Sequence, residues 1–228
     1  ICGLIGPNGA GKTTLFNVIS RIYDPTTGSI TFQNETLLNK ASYQIAQMGI
    51  ARTFQNLALW PKMTVLENVM AGAHIRGKQN FFSAMLRMGL AKEETKLQRS
   101  AYTILESLDL AQYANKACGG LPFGTMKRIE LARALINKPD LLLLDEPATG
   151  LNQSEVNELS SLIKTVRNEY GLTILLVEHH MGMVMGISDR VVVLDFGSKI
   201  AEGTPEEIQQ NSLVINAYLG VSHDRCTS

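Results

Sequence analysis

Charge of one sign, cysteine and long apolar runs are all scarce in this chain. Its 21 Lys and Arg balance 21 Asp and Glu, a formal net charge of +0, and like charges never form a block. The electrostatic footprint of a nucleic-acid binder is therefore missing, and no nucleic-acid partner is expected. The three cysteines, Cys2, Cys118 and Cys226, are far apart. They have neither metal-ligand spacing nor the density of a disulfide scaffold, so a reducing compartment fits. No apolar stretch approaches the roughly 20 residues that cross a bilayer, and Leu141 to Leu144 runs straight into two acids. The start of the chain has no basic, apolar, small-residue leader, so export is not signalled. Internal repeats and low-complexity linkers are also absent.

What remains is 228 residues at 45% hydrophobic content, enough for one compact unit with a lobe. Residues 1–5 read as a short buried strand and Lys12 to Tyr23 as a helix, with Leu15, Phe16, Ile19 and Ile22 at helical spacing. Asp24 to Gly28 is turn chemistry, 29–32 alternates like a strand, 41–48 suits a short helix, and 49–55 reads as a strand ending near Gln55. From about Met63 to Asn137 the pattern is helical. It opens on Thr64-Val65-Leu66-Glu67, a capping box, and continues through Glu93 to Leu110 and Met126 to Ile136. After Pro139 the alternation resumes: strand 141–144, helix 155–169, strand 173–177, a short helix and strand 190–194. A last helix starts at Thr204-Pro205-Glu206-Glu207, with proline at its first position and Glu207 closing a second capping box. Apolar strands alternating with helices imply an α/β fold whose mostly parallel sheet is covered on both faces.

Three stretches carry chemistry. Gly6-Pro7-Asn8-Gly9-Ala10-Gly11-Lys12-Thr13-Thr14 fits the phosphate-loop spacing, with a strand before it and a helix after it. Glycines let the backbone turn its N–H groups onto phosphate oxygens at the positive end of the helix. Lys12 is expected on the β and γ phosphates of a nucleotide, and the Thr13 hydroxyl on Mg2+. Leu141 to Pro147, "LLLLDEP", delivers two carboxylates at the C-terminal end of a buried strand, the edge where parallel sheets bind ligands. Asp145 is expected to hold magnesium and Glu146 to polarise the attacking water. "TILLVEHH" repeats the device with Glu178, His179 and His180, of which His179 is the candidate. Gln55 is a weak candidate in isolation.

With these elements in this order, the chain resembles the ATP-binding subunits of ABC transporters over nearly its whole length. That resemblance implies a P-loop NTPase core formed by 1–60 and 136–228, with an inserted helical subdomain at 61–135 that carries the signature motif. It implies a magnesium-touching glutamine at Gln55 that senses the membrane partner, a D-loop at Thr149-Gly150-Leu151 and a switch histidine at His179. The signature position is "LPFGT", where Pro122 and Thr125 replace the commonest residues and Leu121 and Gly124 remain. Proline offers neither hydroxyl nor N–H, so the family's serine contact is not carried over, and backbone N–H groups near Gly124 are left as the anion site.

The implied assembly is a head-to-tail dimer with a second ATPase, identical or related, on transmembrane permease subunits at the cytoplasmic face of the inner membrane. A solute-binding receptor is an indirect partner. Within the family the wording "LPFGT", "LLLLDEPATGLN", "VEHHMGMVMGISDRVVVL" and "AEGTPEEIQQNSLVINAYLG" is most similar to branched-chain amino acid importers. Family members stack adenine on an aromatic residue upstream of the phosphate loop. Only five residues precede Gly6 in this chain, so the resemblance implies a truncated N-terminus, an unassigned adenine contact and an open sheet edge.

Overall fold

A computed structural model of the chain describes residues 1–53, 57–75 and 87–219, and for 74, 75 and 87–92 the backbone alone. Its centre is a six-stranded sheet. The strands are β1 (Cys2–Ile5), β4 (Ile50–Arg52), β5 (Leu141–Asp145), β6 (Thr173–Val177), β7 (Arg190–Asp195) and β8 (Ser198–Gly203), in the order β4-β5-β6-β1-β7-β8. The first five in that order are mutually parallel and β8 runs antiparallel to β7. A separate two-stranded ribbon joins β2 (Thr31–Phe32) to β3 (Glu35–Thr36).

The leucine run of β5 explains the layering. Leu142 and Leu144 join a cluster on one face with Ile174, Leu176, Val191 and Val193, while Leu143 packs on the other with Leu4, Phe16, Ile45, Ile50 and Val177. With apolar cover on both faces, the strand has no polar side to present until Asp145. Phe16 comes from α1 (Lys12–Ile19) and Ile45 from α2 (Ser42–Gln47). The first face is covered by α6 (Gln153–Tyr170), whose buried Val156, Leu159, Ile163 and Val166 recur at the helical period. The same core continues into α3 (Val65–Ala71), α4 (Arg87–Ser107) and α5 (Phe123–Leu135), through Val65, Val69, Ile104, Leu105, Ile129 and Leu135.

Several boundaries differ from the sequence reading. The first helix stops at Ile19 because Arg21 takes a left-handed φ of 58° and the N–H groups of Ile22 and Tyr23 turn back to the Asn17 carbonyl. Among the described residues the strand expected over 49–55 comprises Ile50–Arg52, and Gln55 lies outside the described residues, as does Cys226. α5 begins at Phe123, one residue after Pro122, whose extended backbone serves as the N-cap. The helix at Thr204 is the short α8 (Pro205–Gln209), with the expected cap, and α9 (Ser212–Leu219) follows, started by the Asn211 side chain. β8 has no counterpart in the sequence reading. It turns back through Phe196 and Gly197, both at positive φ, with only weak apolar alternation in its sequence.

Candidate active site

Parallel pairing sets one row of chemistry. Asp145 lies opposite Val177 and Val177 opposite Leu4, so β5, β6 and β1 end almost level. The residues that follow, Glu146, Glu178 and the phosphate loop, leave the sheet from the same edge, across about 10 Å at ordinary strand spacing.

The loop from Gly6 to Gly11 is shaped by what glycine permits. A Cβ on Gly6 would lie 2.1 Å from the Leu194 carbonyl oxygen of β7, so only glycine lets the loop leave β1 this close to its neighbour. Gly11 sits at φ 98° as the N-cap of α1 and supplies no side chain to the first-turn N–H groups. Those donors are left for an external anion. The Gly197 N–H donates to the Ala10 carbonyl at 3.0 Å, fastening the loop to the β7–β8 turn. Lys12 is buried and folds back inside the loop, where its Nζ donates to Gly6 O at 2.7 Å and Pro7 O at 2.9 Å. Burial pushes its pKa below the usual lysine value, and the nearby Glu146 carboxylate pulls the other way. Asn8, Gly9, Thr13 and Thr14 are exposed, and Pro7 is half-buried.

The two acids sit in contrasting settings. Asp145 is buried, with Oδ2 held at 2.7 Å by Arg52 Nη2. The same guanidinium donates to Asn17 Oδ1 at 2.8 Å and lies over the Phe16 ring at 5.4 Å, so β4, α1 and β5 meet there. Glu146 turns out of the strand at a left-handed φ of 49°, its N–H still bound to Val177 O at 2.8 Å. One carboxylate oxygen lies 2.7 Å from His179 Nε2 and the other accepts from the Thr149 hydroxyl at 3.3 Å. A non-glycine residue at this φ is uncommon and clusters at functional sites.

The tandem histidines divide their work. His179 faces Glu146 with its ring half exposed. His180 is a structural cap: its Nδ1 accepts from the Met183 N–H at the start of α7 (Met181–Ile187), and its Nε2 pairs with Gln153 of α6. Sequence alone ranks His179 ahead of His180 without this distinction.

Lys12, Asp145, Glu146 and His179 therefore converge at one edge. Gly124 does not join them: it sits in the first turn of α5, beside a cleft lined by Leu151 and Glu155 and by no phosphate-loop residue. Sequence reasoning missed Arg52, although an arginine three residues before Gln55, at the end of a strand, was a usable signal. It also missed Asn68, whose side chain binds the N–H and carbonyl of Trp60 and the carbonyl of Thr64, pinning the turn into α3.

Among the described residues, no cluster of three or more His, Cys, Asp or Glu forms a metal cage. The residues present suit a different kind of cation site. Magnesium typically takes one or two protein oxygens and completes its shell with phosphate and water, and Thr13 and Asp145 supply that many beside an anion cradle.

Two family models match the sequence: "ABC transporter" over residues 1–149 and "Branched-chain amino acid ATP-binding cassette transporter" over 198–224. The high-affinity branched-chain amino acid transport ATP-binding protein LivG of Salmonella typhimurium is 46% identical, over 96% of this chain and 87% of its own length. BraF of Pseudomonas aeruginosa, of the same description, is 41% identical over the same shares. Among solved structures, the ADP conformation of MJ1267, an ATP-binding cassette of an ABC transporter, superposes with a TM-score of 0.83 at 30% identity. That match covers 96% of this chain and 87% of the other.

Proposed function

The chain belongs to the ABC transporter family of ATP-binding cassettes, and from that premise we propose that it hydrolyses ATP to drive a branched-chain amino acid importer. The observation that carries the reading is the 2.7 Å contact between Glu146 and His179 on the sheet edge that also carries the phosphate loop.

Each residue then has a task set by its surroundings. The N–H groups of Gly9 and of Gly11 to Thr14, leading into the start of α1, would hold the phosphates. Lys12 exchanges its bonds to Gly6 O and Pro7 O for the β and γ oxygens, a swap helped by the poor solvation of its ammonium. Thr13 and Asp145 would hold magnesium, with Gln55 as a further ligand. The ion, when bound, neutralises charge developing on the phosphate oxygens. Glu146 aligns and deprotonates the attacking water, and His179, donating through Nε2, keeps that carboxylate in place and faces the γ phosphate.

Gly124 stands apart from the phosphate loop of its own chain, which supports its use in trans. The first turn of α5 has no side-chain cap and would close over ATP held by a second ATPase, in a head-to-tail dimer. In this reading 1–60 with 136–228 form the ATP-holding part and 61–135 the part that carries Gly124 to the partner. An open groove of about 530 Å3 lies beside Arg52, three residues before Gln55, where Trp60 stacks on Arg133. We assign that groove to a segment of the membrane permease. No helix among the described residues is long and apolar enough to cross a membrane, in keeping with a peripheral subunit on the cytoplasmic face that serves a solute-binding receptor only indirectly.

The deciding experiment is reconstitution of the full-length protein with its permease subunits in vesicles. ATP-dependent uptake of labelled leucine, isoleucine or valine supports the reading. ATP turnover without uptake of any of the three removes the substrate assignment, and absence of turnover removes the function.

A further inference from the structure

Glu178 directly follows the last residue of β6, Val177, and is almost fully buried, at 3% exposure. Its carboxylate makes three hydrogen bonds, all from backbone N–H groups. Oε1 accepts from Ala148 at 2.6 Å, and Oε2 from His179 at 2.8 Å and His180 at 3.1 Å. These amides belong to two loops: the one that leaves β5 through Glu146, and the one that leaves β6 through His179. With the Glu146–His179 contact the bonds close a ring, from Glu146 along the chain to Ala148, across to Glu178, on to His179 and back.

We propose that Glu178 is a positioning residue for hydrolysis, coupling the loop 147–151 to the placement of His179 on Glu146. Only an acceptor-only group satisfies three converging donors, and carboxylate-to-amide bonds are stronger than neutral ones. Ala148, the residue held, is buried, whereas the next two, Thr149 and Gly150, are exposed and open to a docking protomer. Moving Ala148 away would strand a buried carboxylate oxygen without a donor, which is unfavourable. The loop, Glu178 and His179 therefore shift together, and docking at Thr149 and Gly150 is felt at the water-activating pair.

The inference rests on the hydrolysis reading and is tested in the full-length protein by Glu178→Gln. An amide puts its own N–H2 against a backbone donor, so at least one bond of the ring is lost whichever way it turns. The expected result is a kcat lower by about 10- to 100-fold, with ATP affinity within about twofold of wild type. In a His179→Ala background the same change produces no further loss, because the effect runs through His179. A kcat within about twofold of wild type in the single variant, or a fully additive loss in the double variant, overturns the proposal. If Glu178→Gln does not fold, hydrogen exchange on the wild type decides. The Ala148 and His179 amides should open with one shared rate that changes in step when ATP is added, and independent opening overturns the coupling. A wild-type protein without turnover would sink the function reading, and the exchange measurement, which needs no catalysis, would then judge the coupling separately.

Discussion

Arg52 and Asp145 form a buried ion pair at 2.7 Å, with both side chains less than a tenth exposed. This pair fixes the carboxylate assigned to magnesium before any nucleotide arrives. Removing one partner of such a pair strands the other charge, at roughly 3–5 kcal/mol. Arg52→Met is therefore expected to lower unfolding stability by about that amount, and Asp145→Asn added to it to restore a large part. Urea unfolding of the three proteins checks this, and a double variant no more stable than Arg52→Met would show that the pair is not the cause.

Glu146→Gln keeps an oxygen able to accept from His179, so the local geometry is retained while the proposed base is lost. ATP binding is expected to persist, turnover to fall at least about 100-fold, and the nucleotide-bound dimer to accumulate. Phosphate release at the wild-type rate would remove Glu146 from the base role.

The parallel sheet and the edge that gathers the candidate residues were legible because the central strands are apolar runs that end at glycine or acid, as in "LLLLDEP" and "TILLVEHH". The caps at Thr64 and Thr204 were also legible, since a capping box is a local four-residue pattern. The roles that depend on distant partners were not. Arg52 meets Asp145 across 93 positions and Glu178 meets Ala148 across 30, and neither spacing leaves a periodic trace in sequence. His180 and His179 are the same residue type side by side, and only the helix that starts after His180 separates their tasks.

Acid should weaken the capping box at α3. Backbone and hydroxyl donation from Thr64 holds the Glu67 carboxyl below its ordinary value of 4.5. A carboxyl depressed in the folded state contributes stability that is complete above the ordinary value and is lost as pH falls through the lower folded one. Thermal unfolding of wild type and Glu67→Gln should therefore differ more at pH 6 than at pH 3. A difference independent of pH would mean that Glu67 acts without its charge.

Lys12→Ala and Gly6→Ala are both expected to weaken ATP binding, for reasons that stability separates. In the proposed role Lys12 contributes a charge to the phosphates, and in the nucleotide-free protein it makes two bonds to loop carbonyls at the expense of its own solvation. Its removal should change the unfolding free energy of that state by no more than about 1 kcal/mol. Gly6→Ala drives a methyl to 2.1 Å from the Leu194 backbone oxygen, and backbone cannot rotate aside as a side chain can. The loop must leave β7, and stability should fall by about 2 kcal/mol or more, a Tm lower by at least about 4 °C for a chain of this size. Nucleotide titration followed by a melt of each variant without nucleotide makes the comparison. A Gly6→Ala protein that melts with the wild type would show that the loop tolerates the methyl, and the close seating of the phosphate cradle against β7 would then not be what shapes it.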